Sequence, residues 1–210
     1  MDRLTENRLD LQTPEFHPVQ QGNGTWRFQR DHEAWAWQDN IFSDGEIEAI
    51  RRLGEKMTLD RAKTTGNDGD DIRKSQTSWI FPSPYSGWIF ARLTDVVLEM
   101  NRRYFGFDLS AFEQGLQFTR YEGDGSHYTW HMDRGSDCGV RKLSIVVQLS
   151  DPSEYEGGHL EMLYGATPFQ IERAKSRAVV FPSWALHRVE PVTSGRRESL
   201  VGWISGPLFR

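Results

Sequence analysis

The sequence predicts a mainly β protein with flanking helices, whose strands form a jelly-roll barrel. Two amphipathic helical segments lie in the first half of the chain, and short strands separated by turn residues follow from residue 114. Side chains that bind metal ions well occur on separate strands of this second region. Together these observations indicate one layered core, with the helices packed on one face of the barrel.

The 210 residues are predicted to divide into a lead-in segment and one domain. Residues 1–32 are polar and show no periodicity, and we interpret them as an N-terminal lead-in with one strand near residues 25–29. Residues 33–210 are long enough for one sizeable core and form a single domain. Within it, residues 43–106 supply helical support and residues 114–206 form the jelly-roll core.

Two helices are predicted in the supporting region, after a short strand over residues 34–38. Ser43 and Glu46 have the spacing of a capping box, which predicts a helix over residues 44–57. The second helix, over residues 86–105, carries one apolar stripe at helical spacing. Because each helix has one apolar face, we expect both to pack on the outside of the sheet.

The remaining strands are short runs rich in β-branched and aromatic residues. Turn-forming residues separate them, and Gly157 and Gly158 permit a tight turn before one strand. We predict strands over residues 75–81, 116–121, 142–150, 159–164, 178–181, 187–191 and 198–204.

Three side chains in the core region have the chemistry of a metal site. His131 and Asp133 are separated by one residue, so they point to the same side of an extended backbone. His187 offers a second imidazole on a distant strand. Two imidazoles and one carboxylate are the ligands of the facial triad that binds non-haem Fe(II). The His-x-Asp spacing alone is also compatible with a polar surface turn, so the other residues decide between the two interpretations.

An arginine ten residues past His187 supports the metal-site interpretation. Read as a strand, Arg197 shares one face with Ser199. A guanidinium suits an apolar core poorly, but it offers a rigid two-pronged donor to a carboxylate. Arg196 could take this role instead, and alternation favours Arg197 if Ser199 faces inward.

The ordered set of these residues resembles the pattern of a known enzyme family. The matching residues are His131, Asp133, His187, Arg197 and Ser199. On them, the sequence resembles the Fe(II)/2-oxoglutarate-dependent dioxygenase superfamily, in particular its prolyl-4-hydroxylase-like branch. The resemblance covers residues 33–206 and implies a double-stranded β-helix, the cupin-like form of the jelly roll.

The resemblance implies an enzyme that hydroxylates an unactivated C–H bond. The cofactor would be Fe(II), with 2-oxoglutarate and O2 as cosubstrates, ascorbate as an optional reductant, and succinate and CO2 as products. The substrate would be an amino acid or a peptidyl residue, prolyl residues among them. Tyr121 would join Arg197 and Ser199 in binding 2-oxoglutarate. Related halogenases lack the carboxylate that Asp133 supplies here, so its presence favours hydroxylation.

The resemblance also suggests where the substrate binds. Candidate pocket residues are Arg73, Tyr128, Trp130, Gln148, Leu160 and Trp203. Gln148 and Leu160 depart from the family, in which many relatives have Tyr and Thr, so cosubstrate contacts or substrate choice would differ. The Gly- and Asp-rich loop over residues 59–74 is either a solvated surface loop or a lid that closes on substrate and is mobile without it.

Composition weighs against other functions. A net charge of −5 without a Lys/Arg run argues against a nucleic-acid partner and against the alternative of a nucleic-acid demethylase. A non-catalytic jelly-roll binding module is a further alternative, against which the complete triad argues. The single cysteine, Cys138, excludes an intramolecular disulfide and favours a cytoplasmic location. The sequence has no run of about 18 apolar residues, so we expect no membrane span.

Overall fold

The computed structural model describes residues 19–21, 24–26, 34–57, 59–62, 71–134 and 140–208. In chain order the strands are β1 (Val19–Gln21), β2 (Gly24–Trp26), β3 (Ala36–Gln38), β4 (Asp60–Arg61), β5 (Arg73–Lys74), β6 (Gln76–Ile80), β7 (Ala111–Phe112), β8 (Leu116–Glu122), β9 (His127–His131), β10 (Arg141–Gln148), β11 (Tyr155–Gly157), β12 (Leu160–Leu163), β13 (Pro168–Gln170), β14 (Ala178–Pro182), β15 (Leu186–Val189) and β16 (Val192–Ser205).

The strands pair antiparallel, in two sheets and a separate β1–β2 hairpin. The larger sheet has the order β3-β14-β10-β16-β8-β6-β4, and β7 and β11 also pair with β16. The smaller sheet has the order β13-β12-β15-β9-β5. Buried residues of both sheets share one hydrophobic cluster, so the sheets face each other. This arrangement confirms the predicted jelly-roll core with flanking helices.

Two helices cover the outer face of the larger sheet. Helix α1 (Asp44–Lys56) begins with the predicted capping box, in which Ser43 and Glu46 bond each other's backbone amides. Helix α2 (Gly87–Met100) continues as a π-helical turn to Phe105, within the predicted range. Their buried apolar faces form a second cluster with the sheet. None of the helices in the described part of the chain has the length and apolarity needed to cross a lipid bilayer.

Strand β16 separates the two cores and therefore positions the site. Its outer face presents Leu200 and Ile204 to the helices. Its inner face presents Arg197, Ser199 and Trp203 to the space between the sheets, because successive side chains alternate. The strand is longer than the predicted 198–204, since its first residues pair with β11 through an irregular register.

Some of the predicted boundaries differ from the structure. The loop predicted over residues 59–74 is paired at both ends, because β4 joins β6 and β5 joins β9, while residues 63–70 lie outside the described residues. The lead-in contains the β1–β2 hairpin, and residues 27–29 of its predicted strand are not described. Cys138 also lies outside the described residues.

A buried ion network ties α1 to the sheet. The Glu198 side chain is fully buried on the outer face of β16, and its two oxygens accept from Arg51 Nε at 2.6 Å and Arg120 Nε at 2.8 Å. The same arginines bond Glu154 at 2.8 Å and Glu55 at 2.6 Å. Since Glu198 is the neighbour of Arg197, this network holds the strand whose inner face carries Arg197.

Replacing Glu198 by glutamine is expected to lower the free energy of unfolding by about 3–5 kcal/mol, because the change leaves two guanidiniums facing a neutral amide. Chemical denaturation of the metal-free protein measures this. The matched control is Glu122→Gln, which breaks an exposed pair with Arg196 and should cost no more than about 1 kcal/mol. Equal losses in the two variants would contradict a stabilising role for the buried network.

Candidate metal centre

The three predicted metal ligands come together at one end of the smaller sheet. His131 is the last residue of β9 and stands opposite His187 of the neighbouring strand β15. Asp133 follows two residues later, and its Oδ1 and Oδ2 lie 3.8 Å from His131 Nε2 and 3.7 Å from His187 Nε2. The three ligand atoms lie within 4.8 Å of one another. Within the described part of the chain, this is the one group of three or more such residues placed to hold a metal ion.

Backbone carbonyls orient both imidazoles. His131 Nδ1 lies 2.7 Å from the carbonyl oxygen of Thr129, and His187 Nδ1 lies 2.9 Å from that of Ala185. A carbonyl oxygen only accepts hydrogen bonds, so each Nδ1 must carry the proton. Each Nε2 therefore presents a lone pair toward Asp133, which is the arrangement that metal-binding histidines require.

The carboxylate of Asp133 is also held in place. The Ser144 hydroxyl donates to Asp133 Oδ2 at 2.7 Å, and the Ser183 hydroxyl lies 3.1 Å from Ser144 Oγ. The Arg141 guanidinium donates to the backbone carbonyl of Asp133 at 3.0 Å. Sequence reasoning assigned Ser144 no role, and its position two residues from Val146 on the same buried face of β10 was the available signal.

The protonation states suit a divalent metal. Burial and, next, the neighbouring His187 lower the pKa of His131 to about 3, so His131 is neutral at physiological pH. Burial alone would raise the pKa of Asp133, but the two imidazoles and the Ser144 hydroxyl outweigh it and the pKa is lowered. Neutral imidazole and ionised carboxylate are the forms that coordinate metal. The donor set thus fits Fe(II), for which two histidines and one carboxylate are typical.

A cavity of about 310 Å³, a volume that includes space open to solvent, lies between residues of the two sheets. Among the residues that line it are Val146, Gln148, Leu160 and Arg197. The triad residues themselves do not line this space. Val146 lies two residues beyond Ser144 on the same face of β10, so the cavity and the metal centre are neighbours along one strand.

Arg197 rather than Arg196 points into this cavity. Arg197 is 3% exposed, its Nη1 lies 3.5 Å from Ser199 Oγ, and its guanidinium carbon lies 5.3 Å from the ring centre of Tyr121. Arg196 lies on the outside, where its Nε bonds Glu122 Oε1 at 3.1 Å. The side chains therefore alternate along β16 as the sequence predicts, with Arg197 facing inward and Arg196 facing outward.

Three of the candidate pocket residues lie at the metal centre. The Tyr128 ring stacks on the His131 ring with centroids 3.4 Å apart, and the Arg73 guanidinium lies 4.5 Å from the Tyr128 ring centre. Trp203 is buried and close enough to Asp133 to favour its ionised form. The Trp203 indole N–H has no acceptor within hydrogen-bonding geometry in the described residues.

Two further candidates line the cavity, with a tyrosine that sequence reasoning missed. Leu160 is a lining residue, and the Gln148 amide nitrogen donates to the Tyr155 hydroxyl at 2.9 Å. Tyr155 also lines the cavity. The hydroxyl of Tyr155 thus enters this region from β11. It lies beside Gln148, the position at which the resemblance leads us to expect tyrosine in many relatives.

Trp130 does not join this group. The Arg188 guanidinium lies 4.8 Å from its ring centre, and Arg188 faces the opposite side of β15 from His187. The cause is an extra residue in β9: His131 pairs with His187 but Tyr128 pairs with Val189, so the two residues between them in β9 oppose only Arg188 in β15. Tyr128 and His131 therefore share the inner face, and Trp130 packs outside.

Comparisons with known proteins agree with this site. The sequence model of the 2OG-Fe(II) oxygenase superfamily matches residues 116–205, which include all three metal ligands. A PKHD-type hydroxylase of Prochlorococcus marinus is 38% identical over 208 residues, covering 97% of this chain and 78% of the relative. A PKHD-type hydroxylase of Hyphomonas neptunium is 35% identical over 183 residues, covering 81% and 77%.

Solved structures agree as well. A prolyl-4-hydroxylase of Pseudomonas putida has a TM-score of 0.67 at 26% identity and covers 83% of this chain and 93% of its own. A prolyl hydroxylase of Trichoplax adhaerens, solved with a hypoxia inducible factor peptide fragment, has a TM-score of 0.71 at 16% identity and covers 82% and 84%. The second likeness concerns the fold alone.

Proposed function

Because this chain belongs to the 2OG-Fe(II) oxygenase superfamily, in its prolyl-4-hydroxylase-like branch, we propose that it hydroxylates a C–H bond of an amino-acid or peptidyl substrate. As a member of this family it is an enzyme that uses Fe(II), 2-oxoglutarate and O2. The proposed reaction converts 2-oxoglutarate to succinate and CO2 while the substrate gains a hydroxyl group. The observation that carries the proposal is a complete metal triad near a cavity that is lined by a buried arginine with no carboxylate partner among the described residues.

The triad residues would hold the iron. His131 and His187 offer neutral Nε2 atoms and Asp133 offers a carboxylate oxygen, each held by a further hydrogen bond. Bound Fe(II) supplies the redox chemistry with O2 that no side chain can perform. The protein contributes the orientation of the three ligands before the metal arrives.

Arg197 would bind the distal carboxylate of 2-oxoglutarate, and Ser199 would add a hydrogen bond. Arg197 has no carboxylate partner among the described residues, so a bound diacid would neutralise a buried charge. Tyr121 is 3% exposed and packs against the guanidinium, which limits its movement and excludes water. Such a dry shell strengthens the ion pair.

The names of the relatives support an amino-acid-like substrate. The curated relatives are called PKHD-type hydroxylases, and the Pseudomonas putida structure is a prolyl-4-hydroxylase. Prolyl residues of peptides and free amino acids are therefore the first substrates to test. Tyr128 and Arg73, which lie beside His131, are the side chains proposed to meet the substrate.

Succinate release tests the proposal. The metal-free protein is loaded with Fe(II) without oxygen, and 2-oxoglutarate and air are then added with each member of a panel of proline peptides and free amino acids. We expect succinate only when Fe(II) is present, a higher rate with a true substrate, and a gain of one oxygen atom by that substrate. Chelation should abolish the reaction and renewed Fe(II) should restore it. Binding of 2-oxoglutarate without any succinate would instead favour a non-catalytic binding module.

A further inference from the structure

Two buried arginines near the metal centre lack an acidic partner. Five arginines of the described chain are at most 9% exposed. Three of them form ion pairs with carboxylates: Arg120 with Glu198, Arg141 with Glu113, and Arg177 with Asp39. The other two, Arg73 and Arg197, have no carboxylate within ion-pair distance among the residues that the structure describes.

The described residues around Arg73 accept its hydrogen bonds, but none of them supplies a negative charge within ion-pair distance. Its Nε donates to Ser75 Oγ at 2.9 Å, and its Nη2 donates to Gln117 Oε1 at 3.0 Å. Its guanidinium also lies over the ring of Tyr128, which in turn stacks on His131. All these partners are neutral. These hydrogen bonds use Nε and Nη2, so within the described contacts the Nη1 end of the guanidinium faces no carboxylate and can take part in binding a ligand.

The cosubstrate can neutralise one of the two arginines. A buried charge without a counter-ion is costly, so an anion bound beside either guanidinium would be stabilised. One carboxylate of 2-oxoglutarate is assigned to Arg197, and its other end lies toward the metal. Tyr121 stands opposite Arg197, whereas Gln117, which bonds Arg73, lies four residues earlier on β8. That is a backbone separation of about 13 Å along the strand, so 2-oxoglutarate bound at Arg197 leaves Arg73 without an anion among the described residues.

We propose that Arg73 binds a carboxylate of the primary substrate, and that the substrate therefore carries a free carboxylate group. This inference rests on the proposed function, since it assigns the other anion site to 2-oxoglutarate. A guanidinium matches the planar carboxylate with two parallel hydrogen bonds. A free amino acid, the C-terminal residue of a peptide and an acidic side chain all provide this group.

The position of Arg73 explains how such a carboxylate would orient the substrate. The Tyr128 ring contacts both the Arg73 guanidinium and the His131 imidazole. A carboxylate held at Arg73 therefore lies beside the metal centre rather than on it. The carbon atoms next to the carboxylate would then face the triad.

Ligand binding to the Mn(II)-loaded protein tests this inference without turnover. In the presence of saturating 2-oxoglutarate, the paramagnetic relaxation of probe protons is measured by NMR. The probes are N-acetyl amino acids, proline included, and their primary amides. The α-amides of N-acetyl-aspartate and N-acetyl-glutamate carry only a side-chain carboxylate. Their binding shows whether Arg73 recognises an acidic side chain.

In the wild-type protein we expect at least one acid to bind about tenfold to a hundredfold more tightly than its amide. Arg73→Gln should remove this preference, and Arg73→Lys should keep part of it because the charge remains. The matched control is Arg196→Gln, which removes an exposed arginine paired with Glu122 and should keep the full preference.

Equal binding of acids and amides across the panel would overturn the inference, and so would an acid preference that survives in Arg73→Gln. Loss of 2-oxoglutarate binding in Arg73→Gln and in Arg73→Lys, with Mn(II) still bound, would assign Arg73 to the cosubstrate instead. A separate result would contradict the proposed function. That result is a wild-type protein in which 2-oxoglutarate does not change the paramagnetic relaxation caused by bound Mn(II).

Discussion

Replacing His187 or His131 by alanine is expected to abolish turnover and to weaken Fe(II) binding by more than about a hundredfold. Loss of a hydrogen-bond partner behind a ligand already costs about tenfold to a hundredfold in metal affinity, and loss of the ligand itself removes a coordinate bond. Each variant leaves one imidazole and Asp133, which is an incomplete set for the facial triad. Anaerobic Fe(II) titration measures the affinity, and succinate release measures turnover.

His159 provides the matched control for these variants. It lies outside the triad, where its Nδ1 is 3.3 Å from Glu190 Oε2 and its side chain is partly exposed. His159→Ala should therefore bind Fe(II) with unchanged stoichiometry and keep its turnover. Unchanged metal stoichiometry in both triad variants would contradict the assignment of the metal centre. A similar loss of iron in His159→Ala would point to general unfolding instead.

Replacing Arg197 by alanine is expected to raise the apparent dissociation constant for 2-oxoglutarate about a hundredfold or more. Removing one partner of a buried ion pair costs about 3–5 kcal/mol, and about 1.4 kcal/mol corresponds to a factor of ten. The affinity for Fe(II) should change little, because Arg197 does not touch the triad ligands in the described contacts. Titration of the Fe(II)-loaded protein with 2-oxoglutarate without oxygen separates the two effects.

Arg196→Ala is the control for Arg197→Ala. Its side chain lies on the outside of β16 in an exposed pair with Glu122, so the 2-oxoglutarate constant should stay within a factor of about five. An exchange of phenotypes between the two variants would mean that the strand is shifted by one residue in solution. If neither variant affected 2-oxoglutarate, the cosubstrate assignment would fail whatever the metal titrations gave.

The sequence by itself determined the features that depend on local spacing. The capping box at Ser43 and Glu46 and the stripe of α2 follow from helical periodicity, which depends only on neighbouring residues. The His131-x-Asp133 pair and the alternation of Arg196 and Arg197 follow from the two-residue period of strands. The order of chemically distinct residues along the chain was enough to indicate the family.

The tertiary structure alone decided which strands become neighbours and where their register shifts. The extra residue in β9 turns Tyr128 toward His131 and Trp130 away from it, and regular alternation cannot anticipate a bulge that arises from pairing with β15. The support of Asp133 by Ser144 depends in the same way on contacts between distant segments. The lack of an acidic partner for Arg73 among the described residues is also a tertiary property, because the sequence shows a charge but not which acids lie within reach after folding.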